Sequence, residues 1–246
     1  MNDPLAVPPQ SRRRDPWPAR LDLAQSVSGL VLALFMWGHM LFVASILLGK
    51  DAMWTVTKAF EGRFLLGEDH PVIVSVLVAG VAAVIVLHAV LALRKLPGDY
   101  AQYRAFRAHM GAMGHGDTSL WFWQVVTGLA LLFLASPHLY VMLTQPGTIG
   151  PYGSADRVWS DLMWPLYLVL LLAVEVHGGI GLYRLAVKWG WFAGSDPDRT
   201  RARLKALKWA ITGFFLLLGV VTLWAYIQIG IEHVPHYGRP YVPGGP

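Results

Sequence analysis

Residues 21–49 read LDLAQSVSGLVLALFMWGHMLFVASILLG. After Asp22 this stretch holds no Asp, Glu, Lys or Arg. It exceeds the roughly 20 residues that a helix needs to cross the hydrocarbon of a bilayer. It lacks the strict period-2 alternation of a barrel strand, so it reads as a membrane helix. Four further stretches read the same way: 71–93, which ends before Arg94-Lys95, then 119–144, 161–187 and 207–231. The expectation is an all-α membrane protein with five transmembrane helices over 21–231, a leader over 1–20 and a tail over 232–246. Composition agrees. Of 246 residues, 55% are apolar and only 14% charged, where soluble chains run near a quarter charged. So much Leu, Val, Trp and Phe also excludes a disordered chain. With no cysteine, disulfides, cysteine-ligated iron–sulfur clusters, Cys-bound zinc and covalently attached haem are excluded. The polar, Pro/Arg-rich leader and the length of the first span do not fit a cleaved signal peptide.

Lys and Arg set the orientation. On one side fall Arg12, Arg13, Arg14 and Arg20, then Arg94, Lys95, Arg104 and Arg107, then Arg184, Lys188, Arg199, Arg201, Arg203, Lys205 and Lys208. The other side holds only Lys50, Lys58, Arg63, Arg157 and Arg239. The N-terminus is therefore expected in the cytoplasm and the tail outside, in the periplasm. The net charge of +5 reflects topology and needs no nucleic-acid partner.

Nine histidines are present. His70, His109, His115, His233 and His236 lie in connections or tails and read as solvated side chains. His39, His88, His138 and His177 each sit inside a different span, where an ionisable group is costly and marks function. At 1.5 Å rise per residue, His39 lies roughly 15 Å and His138 roughly 9 Å from the outer ends of their helices. His88 lies roughly 8 Å and His177 roughly 15 Å from the inner ends. Two histidines thus share an outer level and two an inner level. That distribution fits two bis-histidine haems, each iron taking imidazoles from two facing helices. Zinc would gather three or four ligands at one point. Gly38, Gly128, Gly178 and Gly179 would allow close approach of a macrocycle, and Pro137 would re-aim its helix at His138. Gln25, Ser26, Trp121 and Lys188, at the cytoplasmic ends, could hold haem propionates. Glu175 is the one carboxylate well inside a span.

With these residues in view, the chain resembles the dihaem cytochrome b subunit of the menaquinol:fumarate reductase and succinate:quinone reductase family. The resemblance covers nearly the whole chain: five helices in the same orientation, with a histidine on each of the first four. It implies His88 and His177 as ligands of the inner haem b iron and His39 and His138 of the outer. Gln25, Ser26, Trp121 and Lys188 match the family's inner-haem propionate contacts. Glu61, in AFEGRF of the first outer loop, matches its acidic residue for quinol oxidation. Glu175, in AVEVHGG, matches its membrane-buried glutamate and is expected to relay protons.

The resemblance further implies menaquinol as substrate, a flavoprotein subunit carrying FAD and an iron–sulfur subunit on the cytoplasmic face, a dimer of heterotrimers, and the bacterial inner membrane. The chain itself has no dicarboxylate site and no nucleotide-binding loop, so its part in the enzyme would be to pass electrons. The alternative is a dihaem cytochrome b of another respiratory complex, such as hydrogenase or formate dehydrogenase, which suits the four-helix distribution less well. Cytochrome b of bc complexes pairs histidines 13–14 residues apart on one helix, and no such pair occurs. A transporter would show broken, polar helices with paired charges near the midplane.

Overall fold

The computed structural model describes residues 15–113 and 116–244. Most of the expected leader, with Arg12, Arg13 and Arg14, and also His115 lie outside these residues. Among the described residues the structure is helical, with no strand. The elements are α1 (Trp17–Val43), running on as a 3₁₀ turn over Ala44–Leu48, α2 (Lys50–Phe60), α3 (Arg63–Leu66), α4 (Val72–Leu93), α5 (Tyr100–Met113), α6 (Gly116–Thr144), α7 (Pro151–Trp159), α8 (Trp164–Trp189) and α9 (Pro197–His233). Five of them, α1, α4, α6, α8 and α9, are long and apolar enough to cross a membrane.

Helix ends are set by local chemistry. Gly49, at φ 117, breaks the chain between the 3₁₀ turn and α2, a conformation open to a residue without Cβ. Gly190, at φ 67, closes α8, the usual left-handed C-terminal stop. Asp196 accepts from the Asp198 and Arg199 N–H groups, and Pro197 follows at the first helical position, so α9 is capped there. The fifth helix therefore starts at Pro197, not near 207. Its first turns are polar and extend beyond the apolar run. The fourth starts at Trp164 rather than 161, because Leu162 sits at φ 56, outside the helical region.

The main packing is α8 against α6 and α9, α1 against α4, and α7 against α9. The side chains on the outside of the bundle are largely apolar, α4 above all, where only Leu91 is buried. That inversion suits a bilayer as solvent. The buried stripe of α9 is Lys208, Thr212, Phe215, Gly219, Thr222, Tyr226, Gly230 and His233, spaced by three or four residues. Gly219 and Gly230 let neighbours approach: a Cβ on Gly219 would meet Leu171 Cδ1 at 2.6 Å, and one on Gly230 would meet the Ala155 carbonyl at 2.7 Å.

The end of the bundle far from the basic cluster is tied by side chains. His233 is 5% exposed, bonded through Nδ1 to Asp156 at 2.7 Å and stacked on Tyr152. It is a structural histidine, not the solvated one expected. Its sequence neighbours Pro235, His236 and Gly238 hide the fact that α7 covers it. Gly238 N–H donates to the other Asp156 oxygen, and Tyr241 donates to Asp51. That bond pushes the Tyr241 phenol up to about 12.

Candidate functional site

The four intramembrane histidines come together in two pairs. The His88 (α4) and His177 (α8) ring centres are 6.4 Å apart, at 88°. The His39 (α1) and His138 (α6) centres are 5.9 Å apart, at 56°. Metal–imidazole bonds run about 2 Å, and a ring centre lies about 1 Å beyond its nitrogen, so two imidazoles across one ion have centres about 6 Å apart. Both pairs fit that spacing. Among the described residues, no group of three or more His, Cys, Asp or Glu converges on one point, as zinc would require.

Hydrogen bonds fix which nitrogen is free. His177 Nδ1 lies 2.9 Å from the Gln124 carbonyl. A carbonyl only accepts, so Nδ1 carries the hydrogen and Nε2 keeps its lone pair for a metal. Ser28 donates its hydroxyl hydrogen to the Gln25 carbonyl and so accepts from His88 Nδ1 at 3.1 Å, leaving His88 Nε2 free in the same way. At the other level, Tyr167 packs edge-on against His138 at 5.6 Å, and Phe35 stacks on His39 at 5.8 Å.

Two glycines seat the first pair. A Cβ on Gly128 would lie 2.8 Å from His177 Cε1, and one on Gly29 would lie 2.9 Å from His88 Cε1. Gly29 carries no signal in the sequence, since glycine is common in membrane helices. Of the other glycines singled out, Gly38 faces Phe42, Gly178 faces Met36, and Gly179 faces Thr212 and Lys208 on α9.

Glu61 caps α2 and is 0% exposed. Its Oε2 takes a 2.6 Å bond from Lys58, while Oε1 has no partner among the described residues. Lys58 also reaches Asp69 at 3.1 Å. Burial works against the Lys58 charge, but the hydrogen bonds to Glu61 and Asp69 outweigh it and hold the ammonium above its ordinary value. A raised lysine keeps its full contribution below about pH 10.4 and loses it only as pH rises through the higher folded value. Lys58 is thus a cation at any neutral pH. Glu175 is 1% exposed, and its Oε1 is likewise unpartnered among the described residues. It lies about 200° around α8 from His177, on the side that Gly179 presents to α9.

The family described as the succinate dehydrogenase/fumarate reductase transmembrane subunit matches residues 100–220. The fumarate reductase cytochrome b subunit of Wolinella succinogenes is 55% identical over 221 residues, 90% of this chain and 86% of that one. That of Helicobacter pylori strain J99 is 53% identical over 215 residues, 87% of this chain and 83% of its own. The chain belongs to the fumarate reductase cytochrome b family.

As a cytochrome b subunit with five apolar helices, it is a multi-pass protein of the bacterial inner membrane. The basic end of this cytochrome b gathers several of the residues expected to hold propionates. Lys188 Nζ lies 3.1 Å from Ser26 Oγ, and Gln25 Oε1 is buried without a partner among the described residues. Trp121 is held against Phe106 at 4.7 Å; among the described residues no hydrogen bond or ring contact joins it to the other three. Asp22, which sequence reasoning passed over, is the hub here: Lys95 at 2.6 Å, Arg94 at 3.2 Å and Lys188 at 3.3 Å converge on its carboxylate. The second residue passed over is Lys208. Counted among the cytoplasmic charges, it lies well inside α9 and is only 5% exposed.

Proposed function

We propose that this chain is the membrane-anchor electron-transfer subunit of a fumarate reductase/succinate dehydrogenase complex. It carries electrons between menaquinol and cytoplasmic iron–sulfur and flavoprotein subunits through two bis-histidine haems b. The observation that carries this reading is the pair of imidazole couples, 6.4 and 5.9 Å between ring centres, on a chain of the cytochrome b family. The basic bias favours a cytoplasmic side for the N-terminus and the His88–His177 level, where the partner subunits would dock; two such heterotrimers would form a dimer.

When bound, the haems supply one-electron redox chemistry across the bilayer. The chain's residues do the rest. His88 and His177 hold the inner iron and His39 and His138 the outer, with the Gln124 carbonyl and Ser28 hydroxyl fixing the inner imidazoles. Gln25, Ser26, Trp121 and Lys188 would hold the inner propionates. Glu61, at the outer end, accepts a proton as quinol gives up two electrons and two protons. Its Oε1, unpartnered among the described residues, is the atom free to do so, while Lys58 holds Oε2. Glu175 carries protons between the two levels.

Glu61→Gln is expected to leave both haems bound and to spare fumarate reduction by an artificial donor. Quinol-driven turnover should fall by roughly 100-fold, the scale of a lost general base. Unchanged quinol turnover would show that Glu61 only anchors Lys58.

Gly128→Ala and Gly29→Ala are each expected to push aside one imidazole of the inner pair. Haem content and the inner redox component should drop while the outer component stays, as read by potentiometric titration. Full inner-haem content in both variants would contradict this seating.

The whole reading is tested by adding fumarate to the dithionite-reduced complex after the excess reductant is removed. The haem bands should reoxidise in the complex and not in the isolated cytochrome. Haem that ignores fumarate in the intact complex would refute it.

A further inference from the structure

Lys208 is a membrane-buried cation without a counter-charge. Its Nζ has no hydrogen-bond partner among the described residues and sits over the Trp209 ring, 3.3 Å from the centroid. Three other cations at this end are engaged: Lys205 with Asp117 at 2.6 Å, Arg184 with Gln124 Oε1 at 2.7 Å, and Lys188 with Asp22. The position of Lys208 is set by Gly179. A Cβ there would run into the Thr212 hydroxyl and lie 3.7 Å from Lys208 Cγ. The bare α8 backbone at Gly179 thus lets the lysine stem pass. Gly179 is two residues beyond His177, about 3 Å along the helix, so Lys208 crosses α8 at the level of the His88–His177 pair.

We propose that Lys208 supplies a fixed positive charge that raises the reduction potential of the inner haem. This rests on the reading of His88 and His177 as its ligands. Lys208 acts by its field and does not touch the iron. Reduction of ferric to ferrous removes one positive charge from the site. A nearby cation, unscreened by water and unpaired in a low-dielectric bundle, therefore favours the ferrous form. Cytoplasm-side carboxylates do not cancel it: Asp22 and Asp117 are already bonded to other cations. The consequence is a thermodynamic pull on electrons arriving from the outer level, built from a residue at the depth of the His88–His177 pair but across α8 from it.

The test is a potentiometric titration of the purified complex, with total haem counted first. Lys208→Gln should keep two haems and shift the inner ferric/ferrous equilibrium about tenfold toward ferric, about 59 mV lower for one electron. The outer potential should not move, and Lys208→Arg should restore the wild-type value. If the Gln variant does not accumulate, Thr212→Asp serves instead. It places a carboxylate one turn along α9, pairs the ammonium and should lower the same potential. Two haems with an unmoved inner potential, or an equal shift in both haems, would overturn the inference alone. A wild-type complex without haem at His88 and His177 would remove the functional reading as well.

Discussion

On the two-haem reading, His177→Ala will cost the protein one haem. The remaining haem will titrate as a single component with the outer potential. His88→Ala will give the same spectrum, because the two rings face each other at 6.4 Å and neither can hold a low-spin iron alone. His39→Ala and His138→Ala will remove the other component. The four variants should thus sort into two classes that follow the ring pairs, not the order along the chain. Both classes should lose quinol-to-fumarate turnover nearly completely, since either gap interrupts the path across the membrane. Haem content by pyridine haemochrome and redox titration of each variant checks this. A variant retaining both haems with a normal titration would remove that histidine from the ligand set.

Glu175→Gln should assemble, bind both haems and lose quinol-to-fumarate turnover by roughly 100-fold, the scale of a lost proton-transfer group. Electron flow to fumarate from an artificial donor should survive. If quinol is oxidised outside and fumarate reduced inside, electrons move inward and oppose the membrane potential at about 2.3 kcal/mol per charge per 100 mV. A proton moving with each electron cancels that work, and the relay must lie between the levels. Glu175 is 1% exposed with an unpartnered oxygen, on the side of α8 turned from His177. Wild-type complex in liposomes should accordingly build almost no potential during turnover. Full quinol activity in Glu175→Gln, or a large potential in the wild type, would exclude the relay.

The five apolar helices were readable because a membrane span announces itself by uninterrupted apolar length. A histidine inside such a run stands out for the same reason. Depth along each span, at a fixed rise per residue, already places His39 level with His138 and His88 level with His177. What escaped reading were features that depend on a neighbouring helix. Lys208 follows a run of charges, Arg199 to Lys205, and so read as one more cytoplasmic cation. Only the cap at Asp196–Pro197 reveals that the helix is already well under way there. His233 looked solvated because the α7 segment that covers it is far away in sequence. Gly29 was indistinguishable from the ten other glycines of the expected spans until the His88 ring was placed against it. Asp22 marked only the start of a span, and its three cationic partners come from the turn after α4, which supplies Arg94 and Lys95, and from α8, which supplies Lys188.

The central claim is that two pairs of histidines in this one chain hold two haems. The most direct test is haem stoichiometry with the visible spectrum of the purified wild-type protein. The account predicts b-type bands, two haems per chain, and two reduction steps in a titration. A colourless protein, or a single haem per chain at full loading, would contradict it.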